Sequence, residues 1–224
     1  MSSSQSAGKE SFLSAALQYA SRNWPVFPCQ GKIPLTKHGF KDATTDPAVI
    51  QLLFAQPCNL AIRTGQGLCV LDIDVRPGKD GHDTLADWEA KYGRLPKTRS
   101  VTTPSGGQHY YFTFFGTLAC KTALGVGIDL KADGGYVLAP PSHGYVLDED
   151  APLAVIPAWL LEQMLGKKKS VLTLNAKGEI PPGTQDDQLH KLACSLTKQG
   201  LLPETIRAGL RTALLATPQD PTKP

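Results

Sequence analysis

No stretch of this chain approaches the ~18 consecutive apolar residues that a membrane-spanning helix requires, so no segment is expected to cross a bilayer. The first ten residues are rich in Ser and lack an apolar centre, which excludes a secretory signal; residues 1–9 are expected as a loose, disordered tail. Five cysteines (Cys29, Cys58, Cys69, Cys120, Cys194) are scattered and form no Cys-x-x-Cys. That excludes a disulfide framework and a zinc centre, and predicts a reducing, cytoplasmic setting. Charge is scarce too. The net value is +3, with 14 Lys and Arg against 15 Asp and Glu in residues 1–165, and 9 against 5 in residues 166–224. A non-specific DNA coat would need a strong basic footprint, so any nucleic-acid contact must be a local patch. No dinucleotide fingerprint is present either. The lone Gly65-Gln66-Gly67 precedes a strand, where a tight turn between paired strands explains it better.

What remains is an ordinary globular composition, 41% apolar and 19% charged over 224 residues, enough for one full domain and a small appendage. Phe12, Ala15, Ala16, Tyr19 and Ala20 have helical spacing over 11–22. Trp24 to Pro28 reads as an edge strand, because proline is confined to edges. Asp46 before Pro47 caps a helix that Pro57 closes, and Asn59 to Arg63 is a second strand. A helix is predicted over 81–92, strands over 101–103 and 110–115, and a hairpin of 125–133 with 136–139. A short strand over 144–147 and a helix over 157–165 close the main domain. A polar linker over 166–183 leads to helices over 186–199 and 203–216, too short for a core of their own, as in a piece of a longer protein.

Chemistry concentrates in three places. Leu71-Asp72-Ile73-Asp74 ends an apolar strand, and the two-residue side-chain period puts Asp72 and Asp74 on one face. Like charges beside apolar neighbours repel, a cost that a divalent cation with a taste for hard oxygen ligands would remove; a solvated strand end is the alternative. Pro104-Ser105-Gly106-Gly107 makes a sharp turn whose bare N–H groups can approach an anion, and His109 opens the following strand, where its imidazole can donate to a phosphate. Asp129 and Lys131 share one face of the next strand. Two basic groups complete the set: Lys32, Lys37, His38 and Lys41 in one loop, and Arg94, Lys97 and Arg99 within six residues. Each is a candidate phosphate or DNA contact, or a solvated surface.

Leu-Asp-Ile-Asp (71–74), Ser-Gly-Gly-Gln-His (105–109) and Ile-Asp-Leu-Lys-Ala-Asp-Gly-Gly-Tyr-Val-Leu-Ala-Pro-Pro-Ser (128–142), in that order, resemble the bifunctional primase/polymerase (prim-pol) domain of the archaeo-eukaryotic primase superfamily. The likeness spans roughly residues 10–165 and includes Trp-Pro-Val-Phe-Pro (24–28) and Asn-Leu-Ala-Ile-Arg-Thr-Gly (59–65). The tail from Gly183 resembles the start of a small helical domain. The resemblance implies an α+β fold, with a mixed or antiparallel central sheet, flanking helices and an RRM-like catalytic core. It implies a DNA primase or DNA-directed polymerase in the replication of a plasmid, phage or integrated mobile element. Asp72, Asp74 and Asp129 would be catalytic and would hold two Mg²⁺ or Mn²⁺ ions, with no zinc. His109 and Lys131 would hold the triphosphate of a dNTP or NTP, supported by Ser105 with Gly106 and Gly107, and by Ser142. Beside the resemblance, the basic clusters of Lys32, Lys37 and Lys41 and of Arg94, Lys97 and Arg99 are the candidate contacts for single-stranded template and primer, and a helicase domain or partner is a further expectation.

Three other classes stay open on residues alone. A glycosyltransferase also uses Asp-x-Asp with a metal and a nucleotide, although it has no need of the later Asp-x-Lys. A metal-dependent nuclease has nearly the same carboxylate requirement. A replication-initiator module would bind origin DNA without catalysis.

Overall fold

The strand that carries Asp72 is apolar at nearly every position because both of its faces are buried. Leu68 and Val70 point into one core and Cys69, Leu71 and Ile73 into another, the alternation that a pleated strand imposes. Each fully buried aliphatic side chain adds roughly 1.5–3 kcal/mol to that packing. The computed structural model describes residues 3–114 and 116–165. The expected linker over 166–183, the helices over 186–199 and 203–216, and Cys194 lie outside the described residues.

Among the described residues, four α-helices, α1 (Ser3–Ser21), α2 (Pro47–Leu53), α3 (Gly81–Tyr92) and α4 (Ala158–Leu165), accompany thirteen strands in an α+β arrangement. The first sheet runs β11 (Tyr136–Ala139), β3 (Asn59–Arg63), β1 (Val26–Gln30), β2 (Ile33–Pro34). The second runs β12 (Val146–Glu149), β7 (Ser100–Thr102), β8 (Gln108–Thr113), β4 (Leu68–Ile73), β10 (Ile128–Lys131), β9 (Lys121–Gly125). β13 (Ala154–Val155) adds to β8 in parallel, and β5 (Val75–Arg76) and β6 (Lys79–Asp80) make a small separate hairpin. The α+β fold, with mainly antiparallel sheet and flanking helices, is the one expected, and among the described residues its strands form two main sheets. One face of the second sheet packs on the first sheet and α1, through Val70, Tyr111, Leu60 and Ile62. Its other face packs on α3 and α4, through Leu71, Phe112, Leu85 and Trp159.

Local signals set several elements as expected. The Asp46 carboxylate accepts from Ala48 N at 2.8 Å to cap α2, and that of Asp80 accepts from His82 N at 2.8 Å to cap α3. Helical backbone reaches back to Ser3, over most of the stretch expected as a tail. Once a helix is nucleated, each further residue gains a hydrogen bond. β1 is not an edge strand: β3 lies on one side, and β2 with Thr44 on the other. Val26 exchanges bonds with Thr44, and Leu35 N donates to Pro28 O. By alternation, Pro28 therefore turns its donor-less nitrogen away from β3, toward the thinly covered side.

The larger departure concerns pairing. β3 and β4 do not pair across Gly65-Gln66-Gly67, and β10 and β11 make no hairpin, since in both cases the chain passes from one sheet to the other. The two crossings lie side by side. Thr64 Oγ1 donates to Ala132 O at 2.7 Å and Thr64 N to Gly135 O at 3.0 Å. The Asp133 carboxylate accepts from Gln66 N at 3.0 Å and Leu118 N at 2.8 Å. A tight turn does form, Gly65 and Leu68 exchanging hydrogen bonds at 2.7 and 3.1 Å, but it joins strands of different sheets. A Cβ on Gly65 would come within 2.9 Å of Asp133 Cα, so glycine there also serves close approach.

Candidate active site

Antiparallel pairing sets Asp129 of β10 directly opposite Asp72 of β4, and Asp72 directly opposite His109 of β8. Directly opposed residues point to one face, with Cβ atoms roughly 4.5–5.5 Å apart. Asp72 continues the Leu68 and Val70 series, so the row Asp129–Asp72–His109 faces the first sheet, across a cleft of about 420 Å³. Lys131 Nζ bridges the carboxylates, 2.9 Å from Asp129 Oδ2 and 3.8 Å from Asp72 Oδ2. Those two oxygens are therefore less than about 7 Å apart. His109 Nε2 lies 3.4 Å from Asp72 Oδ1. The ring is only 5% exposed, it packs against Tyr111 and Tyr145, and its Nδ1 is buried without a hydrogen-bond partner among the described residues.

These neighbours set the charge states. Burial works against ionisation of Asp72, but the hydrogen bond and charge of His109, with Lys131 and Lys32, outweigh it and hold its carboxyl below the usual range. Burial likewise opposes the charge of Lys131, and Asp129 and Asp72 overcome it, raising its pKa above that of an ordinary lysine. Asp129 is fixed further by Ala123 N, which donates to Oδ1 at 2.8 Å.

Asp74 stands just beyond β4. Its N–H donates to Gly127 O at 2.8 Å, and its Oδ2 takes a 3.0 Å contact from Arg76. Both Asp72 and Asp74 also line a smaller recess of about 120 Å³ with Ser105, His109 and Tyr145. The 104–107 turn forms its wall: Gly106 N donates to Thr103 O at 3.0 Å, and Thr103 Oγ1 and Ser105 Oγ lie 3.2 Å apart. Gly107 has a packing role. A Cβ there would sit 2.1 Å from Ile73 O, so only glycine lets this turn rest on the end of β4.

Asp72, Asp74, Asp129, His109, Lys131, Ser105 and Lys32 thus come together. Gly106 and Gly107 shape the turn without lining the cleft. Ser142 stands apart, 1% exposed, its Oγ accepting from Leu60 N at 2.8 Å and donating to Leu60 O at 3.1 Å. Of the basic groups, Lys37, Lys41 and Arg94 are exposed away from the cleft, and Lys97 pairs with Glu149 at 3.1 Å. Arg99 is 5% exposed, bonded to Asp150, with its guanidinium over the rings of Tyr19 and Trp24. Arg76, Phe40, Tyr136 and Tyr145 also line the cleft, and sequence reasoning missed them. Arg76 continues the two-residue period of Asp72 and Asp74, a signal that could have found it; the aromatic residues offered none.

The oxygen donors of Asp72, Asp74 and Asp129 suit a hard divalent cation. Among the described residues no three His, Cys, Asp or Glu side chains converge as a ready ligand set. Lys131 and Arg76 supply the counter-charge beside these carboxylates, at 2.9 Å from Asp129 and 3.0 Å from Asp74.

Among curated proteins none matches the chain. The family described as bifunctional DNA primase/polymerase, N-terminal, matches residues 16–159, a span that holds both sheets, both sheet crossings and every residue of the cleft. With well over half of its length covered, the chain belongs to the bifunctional DNA primase/polymerase N-terminal family.

Proposed function

We propose that the cleft between the two sheets carries out template-directed nucleotidyl transfer, joining the 3′-hydroxyl of a primer strand to the α-phosphate of a dNTP or NTP with loss of pyrophosphate. The observation that carries this reading is the row Asp129–Asp72–His109, with Lys131 beside it, opening on a cleft large enough for a nucleotide's phosphates. Asp72, Asp74 and Asp129 would hold two Mg²⁺ or Mn²⁺ ions, which when bound activate the attacking oxygen and neutralise charge on the leaving group. The protein's own share is positioning and fixed charge. Asp72 stays ionised across the neutral range because His109, Lys131 and Lys32 hold its pKa down. Lys131, kept cationic by the two carboxylates, is placed to turn from them to a phosphate oxygen. His109, braced between Tyr111 and Tyr145, sits where the phosphate chain would pass between the larger and smaller compartments.

The test is an incubation of the chain with primed and unprimed single-stranded DNA, dNTPs or NTPs, and Mg²⁺ or Mn²⁺. Template-dependent extension or de novo products are expected, and EDTA abolishes them. Shortening of a labelled primer with no extension would replace this reading with a nuclease. Tight duplex binding indifferent to metal and nucleotide, with no product, would replace it with an initiator module.

A further inference from the structure

The basic side chains of the cleft are not equivalent. Lys131 is held by Asp129 and Asp72, His109 faces Asp72, and Arg76 is held by Asp74. Lys32 comes from the opposite wall, in the turn between β1 and β2, and among the described residues no carboxylate is paired with its ammonium. It lines the large compartment and the recess alike. Its turn is anchored: Asn59 Nδ2 donates to Gly31 O at 3.0 Å, and Tyr136 Oη donates to Lys32 O at 2.8 Å. Tyr136 is itself wedged edge-on against Phe27 and stacked on Phe40. A lysine on a braced turn, facing a carboxylate-lined cleft with no carboxylate bonded to its ammonium among the described residues, is placed to receive an anion that carries several negative charges.

We propose that Lys32 binds the phosphate chain of the incoming nucleoside triphosphate from the wall opposite the carboxylates, and is not a template-DNA contact. This rests on the nucleotidyl-transfer reading of the cleft and gives the substrate a grip on both sheets. Lys32 is exposed, as Lys37 and Lys41 are, but those two stand outside the cleft. Lys32 instead shares its compartments with Asp72 and His109, close enough to Asp72 for its charge to act on that carboxyl.

The experiment measures two equilibria on the same protein, wild type against Lys32→Ala and Lys32→Arg. One is binding of a fluorescent dNTP analogue, and the other is binding of a labelled primer–template, both by anisotropy at fixed ionic strength. Lys32→Ala is expected to weaken nucleotide binding by roughly tenfold or more, the scale of one charge-assisted phosphate contact. Its primer–template affinity should stay within about twofold, and Lys32→Arg should restore most of the nucleotide affinity. The reverse pattern, with primer–template affinity lost and nucleotide affinity kept, overturns the assignment and makes Lys32 a template residue. Nucleotide affinity unchanged in Lys32→Ala also overturns it. If wild type itself binds no nucleotide, the transfer reading of the cleft falls, and the assignment with it.

Discussion

Replacing Asp72 by Asn keeps the shape of the side chain and removes the charge at the centre of the row. In the structure that charge lies 3.4 Å from His109 Nε2 and 3.8 Å from Lys131 Nζ. At an effective dielectric near 20, a unit-charge pair at such a distance is worth about 4 kcal/mol gross. Desolvation of these largely buried groups offsets most of it, leaving a net loss of about 1 kcal/mol in Asp72→Asn. For a chain of this size that is a fall in Tm of roughly 2–4 °C. The sign with pH follows from the depressed pKa. Stabilisation by the Asp72 carboxylate is present above the ordinary aspartate range of about 4, and is lost as pH falls through the lowered folded-state value. The Tm gap between wild type and variant should therefore be full at pH 7 and close in acid. Primer extension should fall at least about a thousandfold, because the variant loses an anionic oxygen from the reacting end of the cleft. Calorimetry from pH 3 to 8 and single-turnover extension give both readouts. Extension within tenfold of wild type, or a Tm gap that persists unchanged in acid, would refute the reasoning.

Gly107→Ala should destabilise the fold by about 3 kcal/mol in urea titration, because the added Cβ meets the Ile73 carbonyl at 2.1 Å. Gly106→Ala, at φ +81° with nothing within 4 Å, should lose only about 1 kcal/mol. Equal losses would remove the packing argument for the turn. Burial pushes the Cys58 thiol up to about 11 and the Cys29 thiol up to about 12. At pH 8 about one Cys58 in a thousand is thiolate, so iodoacetamide should modify native Cys58 roughly a hundredfold more slowly than a free thiol, and buried Cys29 more slowly still, as read by peptide mass. Labelling of native Cys58 at the rate of a free thiol would contradict its placement.

Elements proved legible wherever their signal was local. α3 begins at Gly81 and ends at Tyr92 as the sequence indicates, because Asp80 caps it and Gly93 stops it within one turn of each end. β8 follows from the β-prone aromatic run expected over 110–115, while β10 is the middle of the strand expected over 125–133, whose first residue instead ends β9 ahead of a turn. Strand pairing was not legible. Neighbours in sequence usually pair, so β10 with β11 was the natural expectation. What sends them to different sheets is the bonding of Thr64 and Asp133, 68 and 67 residues from their partners Ala132 and Gln66. Basic clusters fail as signals for the same reason. Whether Arg99 is a DNA contact or a buried ion pair depends on Asp150, Tyr19 and Trp24, none of which is near it in sequence. Ser142 is decided by Leu60, 82 residues away.

The carboxylate row was legible for a reason that reaches beyond the acids themselves. On β10 the residues Ile128, Asp129, Leu130 and Lys131 alternate, and Ile128 and Leu130 are fully buried in the core against α3 and α4. A slip of one residue in the pairing of β10 with β4 would drive Asp129 and Lys131 into that core and expose two aliphatic side chains. At roughly 1.5–3 kcal/mol for each buried aliphatic, and more for an unpaired buried charge, the core forbids the slip. Ile73 and Leu71 pin β4 in the same way. Hydrophobic packing on the far face of the sheet therefore determines where the acids stand on the near one. The Lys131 and Arg76 side chains then pair with those acids before any ligand arrives. Lys32 lies outside this scheme, since it comes from the other sheet and its position depends on how the two sheets meet. That is why the acids could be read from their own strands and the role of Lys32 only from the cleft.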